Sequence, residues 1–182
     1  MSRSSATFCA RLITEPAFSN MKRIVVAGVL TGVIDGLFSS VLSTVFYGST
    51  VTRLFQGVAA TLLGPTAVDG GVRTALIGVA MHFGVALGWS VVFAFLLSQF
   101  EWLRRTMAAS GGPIRIASFY GPLIWATMSL LIIPQLTGRP TSITDRWWVQ
   151  FFGHIPFVAV PILTGIRGFR RMAIPIPSPA LD

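Results

Sequence analysis

Charged residues are scarce in this sequence: Asp, Glu, Lys and Arg make up 11% of its 182 residues, while hydrophobic residues make up 53%. Globular domains carry roughly a quarter charged residues. A water-soluble core could not enclose so much apolar surface together with 18 glycines and 11 prolines. The composition therefore excludes an ordinary soluble domain, and the length leaves room for one membrane domain.

Cysteine and catalytic motifs are also nearly absent. Cys9 is the sole cysteine, which excludes an internal disulfide and any cysteine-based zinc or iron–sulfur site. The patterns GxSxG, HExxH, GxxxxGKS and GxxxxGKT, which mark several hydrolases and phosphate-binding loops, do not occur. The acids Glu15, Glu101, Asp145 and Asp182 fall in predicted loops or tails. We therefore expect no enzyme activity and no metal site.

The sequence contains four long apolar stretches. Each approaches or exceeds the roughly 20 residues that a membrane-spanning helix needs. They are predicted over residues 24–46, 74–97, 116–133 and 147–166. Pro134 is expected to end the third span, because proline lacks an N–H and has a fixed φ. Pro156 and Pro161 predict a kink in the fourth. The fold class is thus an all-α integral membrane protein, a four-transmembrane-helix bundle.

A shorter helix is predicted in the connection between the first two spans. Its apolar residues recur at helical spacing, and they are Leu54, Phe55, Val58, Ala59, Leu62 and Leu63. Gly64 and Pro65 end the pattern. We expect an amphipathic helix in the membrane interface, which shields the end of the bundle. The alternative is a lid or gate over a cavity.

Lys and Arg are distributed unevenly about the spans. With alternating helices, ten of the 14 fall on one side, and the other side receives Arg53, Arg73, Arg139 and Arg146. Because cytoplasmic flanks hold the Lys and Arg excess, both termini should be cytoplasmic. Segment 1–23 and the Pro-rich tail 171–182 then flank a membrane domain over 24–170. The excess should contact anionic lipid headgroups, and nucleic acid is not an expected partner because no separate basic module exists.

Small residues recur every fourth position in the first two spans. They are Gly28, Gly32 and Gly36 in the first span and Ala80, Gly84 and Gly88 in the second. Such spacing lets helix backbones approach closely. We expect these two faces to pack against each other, and a homodimer seam is the alternative.

Four polar residues inside the spans could carry chemistry: Asp35, His82, Gln150 and His154. An intramembrane ionisable residue normally faces protein, water or a partner. At 1.5 Å per residue, the two histidines lie about 12 and 10 Å below the outer ends of their spans. Asp35 lies roughly one helical turn deeper. We expect the histidines to face protein and Asp35 to be buried and protonated.

Two chemical interpretations of this group remain open beside plain interhelical hydrogen bonding. His82 and His154 could supply both axial ligands to a b-type haem or bind chlorophyll-type pigments singly. Alternatively, Asp35 and His82 could form a pair that relays a proton.

Several segments resemble uncharacterised bacterial four-span inner-membrane proteins that are loosely YagU-like. These segments are residues 28–35, 54–64, 81–83 and 153–162. The resemblance covers most of 24–170, and His82 and His154 fall where that group's pattern carries histidine. It implies a bacterial inner membrane and four helices, and it implies no activity.

Three functions follow as expectations. The first is a non-catalytic subunit or scaffold within a larger membrane protein complex, without a cofactor, which the small-residue faces and the lack of catalytic motifs favour. The second is a haem- or pigment-binding component that uses His82 and His154. The third is a small-solute or proton pathway through Asp35.

Overall fold

The structure is a computed structural model that describes residues 17–167 of the chain, with side chains described from residue 20 onward. The interpretations made for Cys9, for most of segment 1–23 and for the tail 171–182 concern residues outside this range.

The described residues contain four helices that are long and apolar enough to cross a membrane. We call them spans 1 to 4, and they are Asn20–Phe46, Gly71–Gln99, Gly112–Thr137 and Asp145–Arg167. The shortest has 23 residues, which at 1.5 Å per residue is about 34 Å, against a hydrocarbon core of about 30 Å. Residues 17–167 contain no strand. The predicted all-α architecture with four spanning helices is confirmed.

The shorter helix between spans 1 and 2 is also confirmed, over Val51–Leu63. Its N-cap residue is Thr50, whose side-chain oxygen accepts a hydrogen bond of 3.1 Å from the backbone N–H of Arg53. This cap satisfies one of the free N–H groups of the first turn. The helix ends at Gly64, whose φ of +84° favours glycine.

This helix packs closely on span 2. A Cβ on Gly78 of span 2 would collide with the backbone carbonyl of Phe55, so the two backbones are in direct contact. The buried amide of Gln56 donates a 3.0 Å hydrogen bond to the carbonyl of Gly71. The helix is therefore fixed against the first two turns of span 2.

The connection between spans 2 and 3 holds a helix that the sequence did not reveal, over Glu101–Ala108. Leu103 and Met107 are its buried residues, and Trp102 is exposed. We call the end of the bundle that carries this helix the basic end. The end that carries the Val51–Leu63 helix is the opposite end.

Span 3 does not stop at Pro134, contrary to the prediction. It continues to Thr137 and ends at Gly138, which has a φ of +65°. A π-helical segment, Thr127–Ile132, precedes the proline. In such a segment each N–H bonds five residues back, and local adjustments of this kind satisfy carbonyls that a membrane proline leaves free.

Span 4 leaves the regular α-helix where its prolines predicted an irregularity. Pro156 lies in a π-helical segment, Ile155–Ala159, and Pro161 is the second residue of the α-helical segment that follows. The local widening accommodates both prolines without ending the span.

Span 4 is the most buried of the four spans and packs on spans 1 and 3, while span 1 also packs on span 2. Spans 2 and 3 meet through Tyr120, whose hydroxyl donates a 2.8 Å hydrogen bond to the carbonyl of Trp89. The Tyr120 ring lies 5.0 Å from that of Phe93, between ring centroids.

The glycines of span 1 lie against span 2, as their spacing suggested. A Cβ on Gly28 would be 2.9 Å from Cα of Leu87, and one on Gly32 would be 2.5 Å from Cδ1 of Phe83. Large side chains of span 2 thus fill the groove that the glycines of span 1 leave open.

The expected contribution of Ala80, Gly84 and Gly88 to this contact is wrong. All three are exposed, and a Cβ on Gly84 or Gly88 would have no heavy atom within 4 Å. The face of span 2 that carries Phe83 and Leu87 makes this contact instead, because those side chains fill the groove of span 1. Ala80, Gly84 and Gly88 therefore face away from the bundle.

Candidate functional site

Asp35 lies near the middle of span 1, where spans 2 and 4 both pack against that helix. Its side chain is 14% exposed, and its Oδ2 is 4.0 Å from Nε2 of His82, whose side chain is 15% exposed. This distance is within range of an ion pair and too long for a hydrogen bond. Counted from the ends of their spans at the opposite end, both residues lie about 16 Å deep. Asp35 is therefore level with His82, and the predicted offset of one turn is wrong.

His82 is held against span 1 by a hydrogen bond across the helix contact. Its Nε2 is 3.0 Å from the carbonyl oxygen of Gly32, and because a carbonyl only accepts, Nε2 carries the proton. The ring lies over Gly36, where a Cβ would be 3.4 Å from Nε2. Phe55 and Phe83 present their rings edgewise to the imidazole. Only a small residue at position 36 allows the imidazole to lie this close to span 1.

His154 approaches the same region from span 4. Its Nδ1 donates a 2.7 Å hydrogen bond to the carbonyl of Gln150, and the residue is buried. In the neutral ring Nε2 is then an acceptor. The Trp125 ring lies 4.9 Å from the imidazole, between centroids. The carboxyl of Asp35 interacts electrostatically with both His154 and His82. Three ionisable side chains from three spans thus form one group, which we call the polar cluster.

Four buried polar atoms around the polar cluster have no hydrogen-bond partner among the described residues. They are Oγ1 of Thr31, Oδ1 of Asp35, Nε1 of Trp125 and Oε1 of Gln150. A buried polar atom without a partner costs about 1–3 kcal/mol, and buried water ordinarily satisfies such atoms. The cluster therefore has the free hydrogen-bonding capacity that a chain of water requires.

A surface cavity at the opposite end of the bundle reaches two residues that contact His154. It has a volume of about 250 Å³ and is lined by Arg146, Ser129, Trp125 and Gln150, among others. Arg146 is exposed at the start of span 4, whereas Trp125 contacts the ring of His154 and Gln150 holds its Nδ1. The inner wall of the cavity therefore borders the polar cluster.

An apolar layer separates the polar cluster from the basic end. Each span contributes an apolar residue that is no more than 1% exposed, and these residues are Ala27, Phe93, Ala117 and Ile162. Thr31 lies one helical turn above Ala27 and is itself 1% exposed. The polar cluster thus lies between a cavity that its neighbours Trp125 and Gln150 line and a set of buried apolar residues toward the basic end.

The same side chains bear on the question of metal and cofactor binding. Within residues 17–167, no three His, Cys, Asp or Glu side chains are placed to hold a metal ion. The expectation of a haem or pigment on His82 and His154 stays untested. Phe55, Phe83 and Trp125 pack beside the two imidazoles, and this crowding gives that alternative the weaker support.

Sequence reasoning singled out Asp35, His82, Gln150 and His154, and the structure brings all four into this region. Sequence reasoning missed Thr31 and Trp125. The spacing of Thr31, four residues before Asp35, was a usable signal because such residues share a helix face. Nothing in the sequence distinguishes Trp125 from an ordinary membrane tryptophan.

The comparisons with known proteins leave the site without a precedent. Neither protein-family models, nor curated proteins, nor solved structures gave a match to this chain. The resemblance to YagU-like proteins stays a prediction. The chain is a four-span helical protein of membrane type, and its function has to be argued from its own residues.

Proposed function

We propose that this protein provides a proton pathway in the membrane, with the Asp35 carboxyl as its central proton-binding group. The observation that carries the proposal is the position of Asp35 beside His82 and His154, bordered by a cavity that opens at one end of the bundle. A carboxyl buried in a membrane span is expensive, and such residues mark ion or proton paths.

The chemistry follows from the hydrogen bonds of the two histidines. A proton from water in the cavity reaches Nε2 of His154, the acceptor of its neutral ring, past Gln150 and Trp125. The Asp35 carboxylate then takes up the proton from His154; its Oδ2 is 4.0 Å from Nε2 of His82, and its charge also interacts with His154. Histidine suits this role because its ordinary pKa lies near neutrality.

Passage of a proton toward the basic end requires a movement of the helices, because the residues of the apolar layer are buried. The π-helical segment Ile155–Ala159 lies between His154 and the layer residue Ile162. Such segments are frequent at functional sites. We assign it the role of the flexible element that opens the layer.

Proton flux into liposomes tests the proposal. With a pH gradient and an internal pH-sensitive dye, the wild-type protein should acidify the vesicle interior faster than protein-free vesicles do, and Asp35→Asn should abolish the excess. Asp69→Asn is the matched control, because Asp69 has the same carboxyl with its side chain 83% exposed. Equal flux for wild type and Asp35→Asn would refute the pathway.

The proposed location is the bacterial inner membrane, with both termini on the cytoplasmic side. The ten-to-four division of Lys and Arg supports this orientation. The cavity beside Gln150 would then open on the side of the membrane that faces away from the cytoplasm.

A second candidate function, a non-catalytic subunit of a larger membrane complex, is favoured by one observation. Ala80, Gly84 and Gly88 form an exposed small-residue face on span 2, and such faces admit the close approach of another helix. Gly84→Leu should then lower the mass of the complex extracted in mild detergent. Val33→Leu, at an exposed position of span 1, should leave that mass unchanged.

A further inference from the structure

An apolar groove lies at the basic end, away from the polar cluster. It has a volume of about 360 Å³ and is bounded by the end of span 2, the Glu101–Ala108 helix and the start of span 3. Its walls include Leu96, Phe100, Phe119 and Leu123. The volume is within the range of sites that bind small molecules.

The groove runs along the membrane normal through most of one leaflet. On span 3 its lining residues extend from Arg115 to Leu123, which at 1.5 Å per residue is about 12 Å. One leaflet of a hydrocarbon core about 30 Å thick measures about 15 Å. Trp102 lies at the basic end of the groove, where tryptophan is typical of the membrane interface.

A single cation marks the basic end of this groove. Arg115 is exposed and lies in the first turn of span 3, where the helix dipole adds positive potential. Its charge has no acidic partner in the described part of the chain, since the nearby Glu101 pairs with Arg104 and Arg105. The groove therefore combines an apolar channel at acyl-chain depth with one uncompensated positive charge at headgroup depth.

We propose that this groove binds one phospholipid with an anionic headgroup, the acyl chain along the aromatic walls and the phosphate on Arg115. The charge and its depth select a lipid over an apolar helix, which would bring no anion to Arg115. Two other lining residues carry a hydroxyl, and both hydroxyls are already bonded, that of Thr106 to the carbonyl of Trp102 and that of Tyr120 to the carbonyl of Trp89. Recognition is thus confined to the headgroup.

Retention of lipid in mild detergent tests the site. Protein incubated with equal amounts of phosphatidylglycerol and phosphatidylcholine is examined by native mass spectrometry, and the wild type should retain one phosphatidylglycerol preferentially. Arg115→Gln should weaken that retention about fivefold, the change that corresponds to about 1 kcal/mol for one basic residue at an anionic surface. Lys22→Gln is the matched control, because Lys22 is an exposed cation at the same end of the bundle.

A second variant tests the acyl-chain half of the proposal. Leu123 is 55% exposed, so Leu123→Trp enlarges a groove wall without disturbing the core, and it should also reduce phosphatidylglycerol retention. An equal loss in Lys22→Gln and Arg115→Gln would overturn the site in favour of diffuse attraction. Undiminished retention in Leu123→Trp would overturn the groove as the place of binding.

Fluorescence provides a readout that does not depend on retention in detergent. Phosphatidylglycerol with brominated acyl chains should quench the protein more strongly than brominated phosphatidylcholine at the same mole fraction. The difference should disappear in Trp102→Phe, because Trp102 lines the groove, and in Arg115→Gln. Persistence of the difference in both variants would contradict the proposal.

Discussion

At the scale of single residues, the main feature is a carboxyl group in an apolar helix, which needs polar neighbours from other helices. Asp35 is tolerated in span 1 because His82 and His154 approach from two other spans and because its side chain is largely covered. Gly36 leaves room for the imidazole of His82, and the carbonyl of Gly32 accepts a hydrogen bond from its Nε2.

Replacement of Asp35 by Asn should leave folding nearly unchanged. Asn keeps the size and the hydrogen-bonding groups of the side chain while removing the possibility of charge. Polar contacts between membrane helices average about 0.6 kcal/mol, so the free energy of unfolding should change by no more than about that amount. Thermal unfolding in detergent measures it, and a large loss of stability would show that Asp35 holds the bundle together as an anion.

The sequence identifies the cluster residues because ionisable groups are rare in apolar spans. Asp35, His82 and His154 stand out for that reason alone. Thr31 and Trp125 do not, because threonine and tryptophan are ordinary in membrane helices. Their polar atoms become notable only when packing leaves them buried without a partner.

At the scale of helices, the contact between spans 1 and 2 is formed by glycines on one side and large side chains on the other. The sequence predicted that these helices pack, and it predicted the wrong face of span 2. Spacing alone does not fix the rotation of a helix about its axis. In the structure, Phe83 and Leu87 fill the groove that the glycines of span 1 leave.

Gly32→Leu should destabilise the bundle, whereas Gly84→Leu should not. A Cβ at position 32 already meets the ring of Phe83, while one at position 84 meets nothing within 4 Å. Overpacking of a tight contact costs about 1–3 kcal/mol. Unfolding in detergent compares the two variants, and equal stabilities would remove the proposed contact.

Short elements were the hardest to foresee. The Glu101–Ala108 helix has eight residues, too few for periodicity to stand out beside two apolar spans. The extension of span 3 past Pro134 was missed because the rule that proline ends a helix holds in water, where freed carbonyls bond to solvent. In a membrane span, a π-helical segment takes over that role.

The Glu101–Ala108 helix should loosen at acidic pH. Hydrogen bonds from Arg105 and Arg104 lower the pKa of Glu101. A lowered pKa means that ionised Glu101 contributes stability at neutral pH and loses it as pH falls through the folded-state pKa, below the ordinary glutamate value of about 4.3. Hydrogen exchange of this helix, corrected for the intrinsic effect of pH, should rise there. In Glu101→Gln the additional rise should vanish, and a profile identical to wild type would contradict the assignment.

At the scale of the whole molecule, the sequence predicts well how Lys and Arg are divided between the two ends of the bundle. The structure describes six Lys and Arg residues at the basic end and four at the opposite end. The four spans were equally predictable, because length and apolar composition determine them. The cavity beside Gln150 was not predictable, because it depends on how the 138–144 connection meets span 4.

The orientation can be tested by thiol labelling in a Cys9→Ser background. Ser49→Cys lies at the opposite end and Ser110→Cys at the basic end. A membrane-impermeant reagent applied to intact cells should label the first and not the second, because Lys and Arg are retained on the cytoplasmic side. Labelling of both or the reverse pattern would contradict the proposed topology.

The central claim is that Asp35 binds and releases a proton within the membrane. Infrared spectroscopy of the reconstituted protein tests this claim most directly, because a protonated carboxyl has a C=O stretching band distinct from that of a carboxylate. We predict a carboxylic-acid band that decreases as the external pH is raised, is absent in Asp35→Asn and is unchanged in Asp69→Asn. A band that persists in Asp35→Asn, or the absence of any pH-dependent band in the wild type, would contradict the account.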